Sequence, residues 1–156
     1  MNYSAIYKTS LADGEGWRTV LFVSGCNHKC KECHNMESWN PKYGKKFTNK
    51  TKEFLFSCIK DNIDGLTLSG GDPLYPDNIE EVTQLCKEFK ERFPNKTIWL
   101  YTGSLYENCK SLEIMNYIDI IVDGEFKINL KDTTIAFRGS SNQRIIDVKT
   151  GNQLDF

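Results

Sequence analysis

Four short apolar runs, each followed by a turn-forming loop, dominate the hydrophobic pattern of this chain. They are rich in β-branched and aromatic residues and lie at residues 17–23, 65–69, 96–101 and 118–122. Such runs predict buried strands. Between them, apolar residues recur at three- and four-residue spacing, which predicts amphipathic helices. The predicted helices cover residues 49–63, with Thr48 or Asn49 as the cap, then 77–93, ended by Pro94, and 106–117.

This order of elements predicts an α/β fold. Strands that alternate with helices are joined by right-handed crossovers into a parallel sheet. A complete eight-stranded barrel takes about 250 residues, so the shorter chain predicts an open partial (β/α) barrel with a mostly parallel, curved sheet of about five or six strands. We expect residues 145–148 to add an edge strand and residues 1–156 to form a single domain.

Composition excludes several classes of protein. Hydrophobic residues make up 39% of the chain, charged residues 26%, and the net charge is −1, unlike a disordered chain or a nucleic-acid-coating protein. No apolar run approaches the roughly 18 residues of a membrane span, and the first residues lack the apolar centre of a signal peptide. We therefore expect no nucleic-acid partner, no membrane contact and a cytoplasmic location, where cysteines stay reduced.

The distribution of the six cysteines points to a metal centre. Cys26, Cys30 and Cys33 fall within eight residues after the first strand, whereas Cys58, Cys86 and Cys109 lie singly in helical segments. The single cysteines are predicted to be buried packing residues. Three clustered thiols suit a centre that keeps one coordination position open, and Lys29 and Lys31 between them are expected to favour thiolates.

The cysteine spacing alone leaves three kinds of site open. They are an iron–sulfur cluster, a zinc site completed by His28 or His34, and a thiol redox site. A closed zinc tetrahedron in so tight a loop would be unusual, because structural zinc sites commonly draw their ligands from separate parts of the chain. The position of the loop at the end of a strand favours the cluster.

A second feature, Gly70-Gly71-Asp72-Pro73, follows the second predicted strand. The carboxyl ends of parallel strands meet at one edge, so this turn is expected beside the cysteines. Glycines let the backbone approach a ligand closely, and Asp72 supplies a charge suited to an ammonium group. The alternative is an ordinary tight turn.

Residues 26–33 resemble the C-x3-C-x2-C signature of the radical S-adenosylmethionine enzymes. The similarity extends to residues 13–18, 21–26, 68–74, 122–124 and 138–143. Together these segments resemble the small activating proteins of anaerobic ribonucleoside-triphosphate reductase. The fold that this implies is the minimal core of the radical S-adenosylmethionine class.

The resemblance implies a 4Fe-4S cluster held by Cys26, Cys30 and Cys33, with S-adenosylmethionine on its fourth iron. It implies cleavage of the sulfonium to a 5′-deoxyadenosyl radical, which takes hydrogen from a glycine of the large catalytic subunit and leaves a glycyl radical there. The protein then supplies orientation and shelter for the chemistry of its cofactors. The resemblance also implies a flavodoxin-type electron donor, and it is compatible with a homodimer of this chain. Contacts to S-adenosylmethionine are implied at Glu32, Cys33, His34, Gly70, Gly71 and Asp72.

Two positions depart from that family's pattern. The family commonly has glycine before the third cysteine and tyrosine after it, where this chain has Glu32 and His34. These departures affect the expected contacts to adenine. Two rival functions stay open, namely an activase of another glycyl-radical enzyme, such as pyruvate formate-lyase, and a non-enzymatic zinc-binding module that docks a partner.

Several other residues have two interpretations each. Tyr101, Thr102 and Gly103 line an adenosine pocket or serve packing, Asp123 contacts the cofactor or caps a turn, and Arg18, Arg138 and Arg144 face a partner or solvent.

Overall fold

A computed structural model describes residues 1–156 and contains one eight-stranded mixed sheet with three α-helices. The strands are β1 (Asn2–Ser10), β2 (Arg18–Val23), β3 (Lys45–Lys46), β4 (Gly65–Gly70), β5 (Thr97–Tyr101), β6 (Ile120–Asp123), β7 (Arg144–Asp147) and β8 (Gln153–Leu154). The helices are α1 (Asn49–Ser57), α2 (Ile79–Arg92) and α3 (Tyr106–Cys109). The strand order across the sheet is β3-β1-β2-β4-β5-β6-β7-β8.

The prediction of an open, mostly parallel partial barrel with fewer strands is wrong. Four of the seven strand pairings are antiparallel, and only β2, β4, β5 and β6 run parallel to one another. Parallel neighbours require a long crossover, usually helical. That condition is met between β4 and β5, which α2 connects, but β1 and β2 are joined by a short loop and β6 and β7 by a loop without an α-helix. The sheet is therefore parallel in the middle and antiparallel at both sides.

All three predicted helices occur at the predicted positions, but each is shorter than predicted. Thr48 caps α1, with its hydroxyl accepting from the Thr51 amide at 3.2 Å, and the helix ends at Ser57. The third predicted helix is interrupted, because Leu112 adopts an extended conformation between α3 and a 3-10 turn at Glu113–Asn116. No helix has both the length and the apolar character needed to cross a membrane.

The core lies between the helices and one face of the sheet. Its central row consists of paired residues on neighbouring strands, namely Leu21, Leu68, Leu100, Ile121 and Ile146. Burial of such aliphatic side chains is the main source of stability in a domain of this size. Cys58, Cys86 and Cys109 are all buried, and Cys86 and Cys109 belong to this core, so the prediction that the single cysteines are buried is confirmed.

The other face of the sheet carries a smaller aromatic cluster. Trp99 is buried there, with the rings of Phe137 and Phe156 packed edge-on against it at centroid distances of 5.4 and 5.9 Å. The Tyr101 hydroxyl donates to the Phe137 carbonyl at 2.8 Å, and burial raises the pKa of this tyrosine. Of the two interpretations of Tyr101, the structure supports packing.

Arg18 is buried rather than facing solvent or a partner. Its guanidinium donates to the hydroxyls of Thr67 and Thr97 at 3.2 and 2.6 Å and to the carbonyls of Leu66 and Thr97 at 2.8 and 3.0 Å. No carboxylate forms an ion pair with it, and burial lowers its pKa to about 10. Neutral acceptors from β4 and β5 therefore hold a buried charge at the amino-terminal end of β2.

This arrangement predicts that Arg18→Ala lowers the free energy of unfolding by about 3 kcal/mol, because it leaves a cavity and several unpaired buried acceptors. Chemical denaturation measures the change. Arg92→Ala is the matched control, since Arg92 also makes two hydrogen bonds, to Glu53, but on the surface, where ion pairs contribute little. Equal losses from the two variants would contradict the assigned role of Arg18.

Candidate functional site

The three clustered cysteines lie on the loop that follows β2, called here the cysteine loop (residues 26–33). Backbone hydrogen bonds fix its base on two sides. The amides of Gly25 and Cys26 donate to the carbonyls of Ser38 and Trp39 at 2.7 and 3.2 Å, and the Asp72 amide donates to the Gly25 carbonyl at 2.8 Å. The loop therefore starts beside the end of β4, as expected from the parallel pairing of β2 and β4.

The cysteine loop contains two residues in the left-handed region. Lys29 has φ 50° and Glu32 has φ 57°, and between them the chain turns with a hydrogen bond from the Cys33 amide to the Cys30 carbonyl at 3.1 Å. A non-glycine residue in this region costs about 1–2 kcal/mol. Glu32 is the position at which the resembling family commonly has glycine, and the backbone conformation gives a physical reason for that preference.

The thiols of Cys26, Cys30 and Cys33 are all free and half-buried. Burial raises the pKa of Cys26 and of Cys30, and the nearby carboxylates of Asp72 and Glu125 add to the respective rises. For these two cysteines, burial therefore opposes the thiolate form that the neighbouring lysines were expected to favour. No three His, Cys, Asp or Glu side chains converge closely enough to form a metal site, so the loop has to tighten for three thiols to bind one centre.

Asp72 is buried after the end of β4, and both oxygens of its carboxylate accept hydrogen bonds. Oδ1 accepts from the Leu74 amide at 2.8 Å, while Oδ2 accepts from the Thr102 hydroxyl at 2.9 Å and the Gly103 amide at 3.0 Å. His28 Nε2 also lies 2.9 Å from Oδ2. The carboxylate thus connects the ends of β4 and β5 with the cysteine loop. Sequence reasoning missed the role of Thr102 here.

His28 is held between two carboxylates. Its Nδ1 lies 2.9 Å from Glu125 Oε2, opposite the contact of Nε2 with Asp72. The hydrogen bond to Asp72, followed by that to Glu125, raises the pKa of this imidazole against the opposing effect of burial. Gly103 leaves room for the ring, because a Cβ there would be 2.6 Å from it. Both ring nitrogens are engaged, so His28 is not free to complete a zinc site in this arrangement.

Gly71 serves the packing of the cysteine loop. A Cβ at this position would lie 2.5 Å from the Gly25 carbonyl oxygen and 2.7 Å from that of Ser38. Such distances would force the base of the loop away from the end of β4. The tight-turn interpretation of this segment therefore has a structural basis, while contact of Gly70, Gly71 and Asp72 with a ligand stays a prediction.

The remaining cofactor candidates on the loop are less constrained. His34 is exposed and its ring lies 5.4 Å from that of Phe126. Glu32 is exposed, and neither its side chain nor that of Cys33 makes a hydrogen bond. The structure thus joins Asp72 to the cysteine loop through His28 and leaves Glu32, Cys33 and His34 at its outer side.

Asp123, at the end of β6, has a structural role. Its carboxylate accepts from the Tyr106 amide at 2.7 Å, at the start of α3, and from Arg144, which also pairs with Glu107 at 2.8 Å. The turn-cap interpretation is therefore the one that the structure supports. Arg144 is held in these ion pairs, and Arg138 donates to the Gln143 carbonyl at 3.4 Å.

Two buried side-chain atoms lack a hydrogen-bond partner, Trp39 Nε1 and Asn142 Oδ1. Both residues hold the candidate site, since the Trp39 carbonyl accepts from Cys26 and the Asn142 amide group donates to the Glu125 carbonyl at 2.8 Å. Unpartnered buried polar atoms are rare in folded proteins.

A large surface cavity lies elsewhere. It is lined by residues at the amino-terminal ends of the strands, including Arg18, Thr97 and Asp119. It contains no cysteine, and Arg18 and Thr97 already bind each other. The chemistry therefore assigns the candidate site to the opposite edge of the sheet.

Known proteins resemble this chain over nearly its whole length. The model of the family described as a 4Fe-4S single cluster domain matches residues 12–146. The anaerobic ribonucleoside-triphosphate reductase-activating protein of Enterobacteria phage T4 is 49% identical over 146 residues, which cover 93% of each chain. Proteins of the same name from Vibrio cholerae and Escherichia coli K12 are 41% and 36% identical, over 93% and 92% of this chain and 97% and 96% of their own.

The burial of the cysteines predicts two classes of reactivity toward iodoacetamide in the reduced, metal-free protein. Cys26, Cys30 and Cys33 are expected to be alkylated in the folded state, whereas Cys86 and Cys109 react only after unfolding. Burial raises the pKa of Cys109 to about 11 and that of Cys86 further, and the thiolate is the reactive form. Peptide mass spectrometry measures the rate at each cysteine, and fast labelling of Cys86 in folded protein would contradict the structure.

Proposed function

This chain belongs to the family of anaerobic ribonucleoside-triphosphate reductase-activating proteins, and we propose that it is an enzyme that installs a glycyl radical on the large catalytic subunit of such a reductase. The proposal assigns it a 4Fe-4S cluster and S-adenosylmethionine as cofactors. When bound, these would supply a low-potential electron and a 5′-deoxyadenosyl radical that takes hydrogen from a glycine of the partner. The chain's own residues bind the cofactors, orient them and exclude water.

Cys26, Cys30 and Cys33 are the residues that we propose as cluster ligands. The observation that carries this assignment is the separation of the six cysteines into two sets. Three thiols are free and reachable on one anchored loop, and the other three are buried. Three thiolate ligands leave one coordination position for a further ligand. The family described as a 4Fe-4S single cluster domain includes this loop in its matched range.

For S-adenosylmethionine, we propose contacts from Gly70, Gly71 and Asp72 on one side and from Glu32, Cys33 and His34 on the other. Asp72 lies under the cysteine loop, to which His28 connects it. His28 is partly exposed, with 23% of its side-chain surface accessible, whereas Thr102 belongs to the buried strand end. His28 is therefore the donor on Asp72 that a ligand ammonium can replace. The ring of His34 offers a surface on which adenine can stack.

Anaerobic reconstitution with iron and sulfide tests the cofactors. We expect a brown protein that, with a strong reductant, converts S-adenosylmethionine to methionine and 5′-deoxyadenosine. Cys30→Ala is expected to abolish this conversion, because two thiolates do not retain the cluster. Cys86→Ala is the matched control, since it removes a buried thiol from the core and leaves the loop intact. A colourless protein that binds one zinc ion tightly would instead favour the zinc-module alternative.

Electron paramagnetic resonance tests the partner. We expect the reconstituted protein to produce a glycyl-radical doublet when mixed with the large subunit of an anaerobic ribonucleotide reductase, S-adenosylmethionine and a reductant. Reduced flavodoxin is the electron donor to compare with a chemical reductant. A radical that forms on pyruvate formate-lyase and not on the reductase would contradict the assigned partner.

A further inference from the structure

Two segments between β6 and β7 pack against each other, and one of them contacts the cysteine loop. One is the turn that follows β6, called here the Glu125 turn (residues 124–126). The other precedes β7 and is called here the brace loop (residues 139–143). Neither contributes a thiol to the proposed cluster, and the proposed function leaves the brace loop without a role.

Gln143 connects the two segments with both ends of its amide. Its Oε1 accepts from the amides of Gly139 and Ser140 at 2.8 and 3.1 Å, which closes the brace loop on itself. Its Nε2 donates to the Gly124 carbonyl at 3.0 Å, which ties the brace loop to the Glu125 turn. One side chain therefore performs two separable tasks, and each uses a different atom.

Asn142 and Ser140 add two further connections. The Asn142 Nδ2 donates to the Glu125 carbonyl at 2.8 Å, and the Ser140 hydroxyl accepts from the Lys127 amide at 3.2 Å. Gly139 also lies directly against the ring of Phe126, since a Cβ there would be 3.1 Å from it. The brace loop thus holds the backbone on both sides of Phe126.

Two side chains of the Glu125 turn contact His28 in the cysteine loop and His34 directly after this loop. Glu125 Oε2 lies 2.9 Å from His28 Nδ1, and the ring of Phe126 lies 5.4 Å from that of His34. These contacts lie on either side of Cys30, one at His28 within the cysteine loop and one at His34 immediately after it.

We propose that Asn142 and Gln143 are positioning residues, which hold the Glu125 turn against the cysteine loop and so restrict the movement by which this loop brings its three thiols onto the cluster. The proposal rests on the proposed function, because it assumes that these thiols are the ligands. Polar contacts around cluster ligands orient them and tune the cluster's reduction potential. The brace loop therefore acts on the metal centre without touching it.

Gln143→Glu separates the two tasks of Gln143. A carboxylate retains the acceptor for Gly139 and Ser140, but it places an oxygen opposite the Gly124 carbonyl where a donor stood. In metal-free protein, we expect hydrogen exchange in the brace loop to stay slow, while exchange and alkylation in residues 26–33 become about fivefold faster, the change that corresponds to loss of a hydrogen bond worth about 1 kcal/mol. Gln143→Ala is expected to accelerate exchange in both segments.

Gln153→Ala is the matched control. Gln153 lies in β8, is exposed, and its side chain makes no hydrogen bond, so its removal should change neither segment. Asn142→Ala removes a single hydrogen bond to the Glu125 turn and carries the test if the Gln143 variants fail to fold.

After reconstitution, the reduced cluster of Gln143→Glu and Asn142→Ala should give an altered electron paramagnetic resonance spectrum and a shifted reduction potential, while that of Gln153→Ala matches the parent protein. A general loss of stability would not change the spectrum of the folded fraction. Unchanged exchange at residues 26–33 in both Gln143→Glu and Asn142→Ala would overturn the proposal. The exchange and alkylation measurements use metal-free protein, so they are independent of whether the loaded protein cleaves S-adenosylmethionine.

Discussion

The buried carboxylate of Asp72 is the group on which the carboxyl edge of the sheet depends. A buried carboxylate costs several kcal/mol unless donors surround it. Those donors come from three different segments, namely the turn after β4, the end of β5 and the cysteine loop. Satisfying one charge therefore fixes the ends of two strands and the loop that carries the thiols relative to one another.

Much of this edge was predictable because its signals are local. The β-branched runs mark β2, β4, β5 and β6, and the turn residues that follow them mark where each strand ends. From the parallel order alone, Cys26 and Asp72 were expected on one edge, and the hydrogen bond between Asp72 and Gly25 places them there. The core cysteines were predictable for the same reason, since each lies on the apolar side of a helical segment.

The antiparallel parts of the sheet and the contacts of His28 were not predictable from such signals. β3 and β8 have two residues each, too few to show an alternating pattern, and β1 mixes polar and apolar residues because it is only partly buried. His28 meets Glu125 across 97 positions of the chain, a contact that depends on the completed fold. Arg18 was also expected at the surface. Its partners in the structure are hydroxyls and backbone carbonyls, which unlike a carboxylate give no signal in the sequence.

A buried charge lies at each end of the central strands, Arg18 at the amino end and Asp72 at the carboxyl end, and the two differ in how their hydrogen-bond partners are held. At the amino end, four of the five N–H donors of Arg18 are paired with hydroxyls and carbonyls of β4 and β5. At the carboxyl end, one donor to Asp72 is a partly exposed imidazole, two loop residues are strained, and Asn142 keeps an unpaired buried oxygen. Strain and unpaired polar groups persist only where the surrounding structure enforces them, and they concentrate at functional sites. The brace loop supplies that enforcement here, because it fixes the turn that holds His28 from the side opposite Asp72.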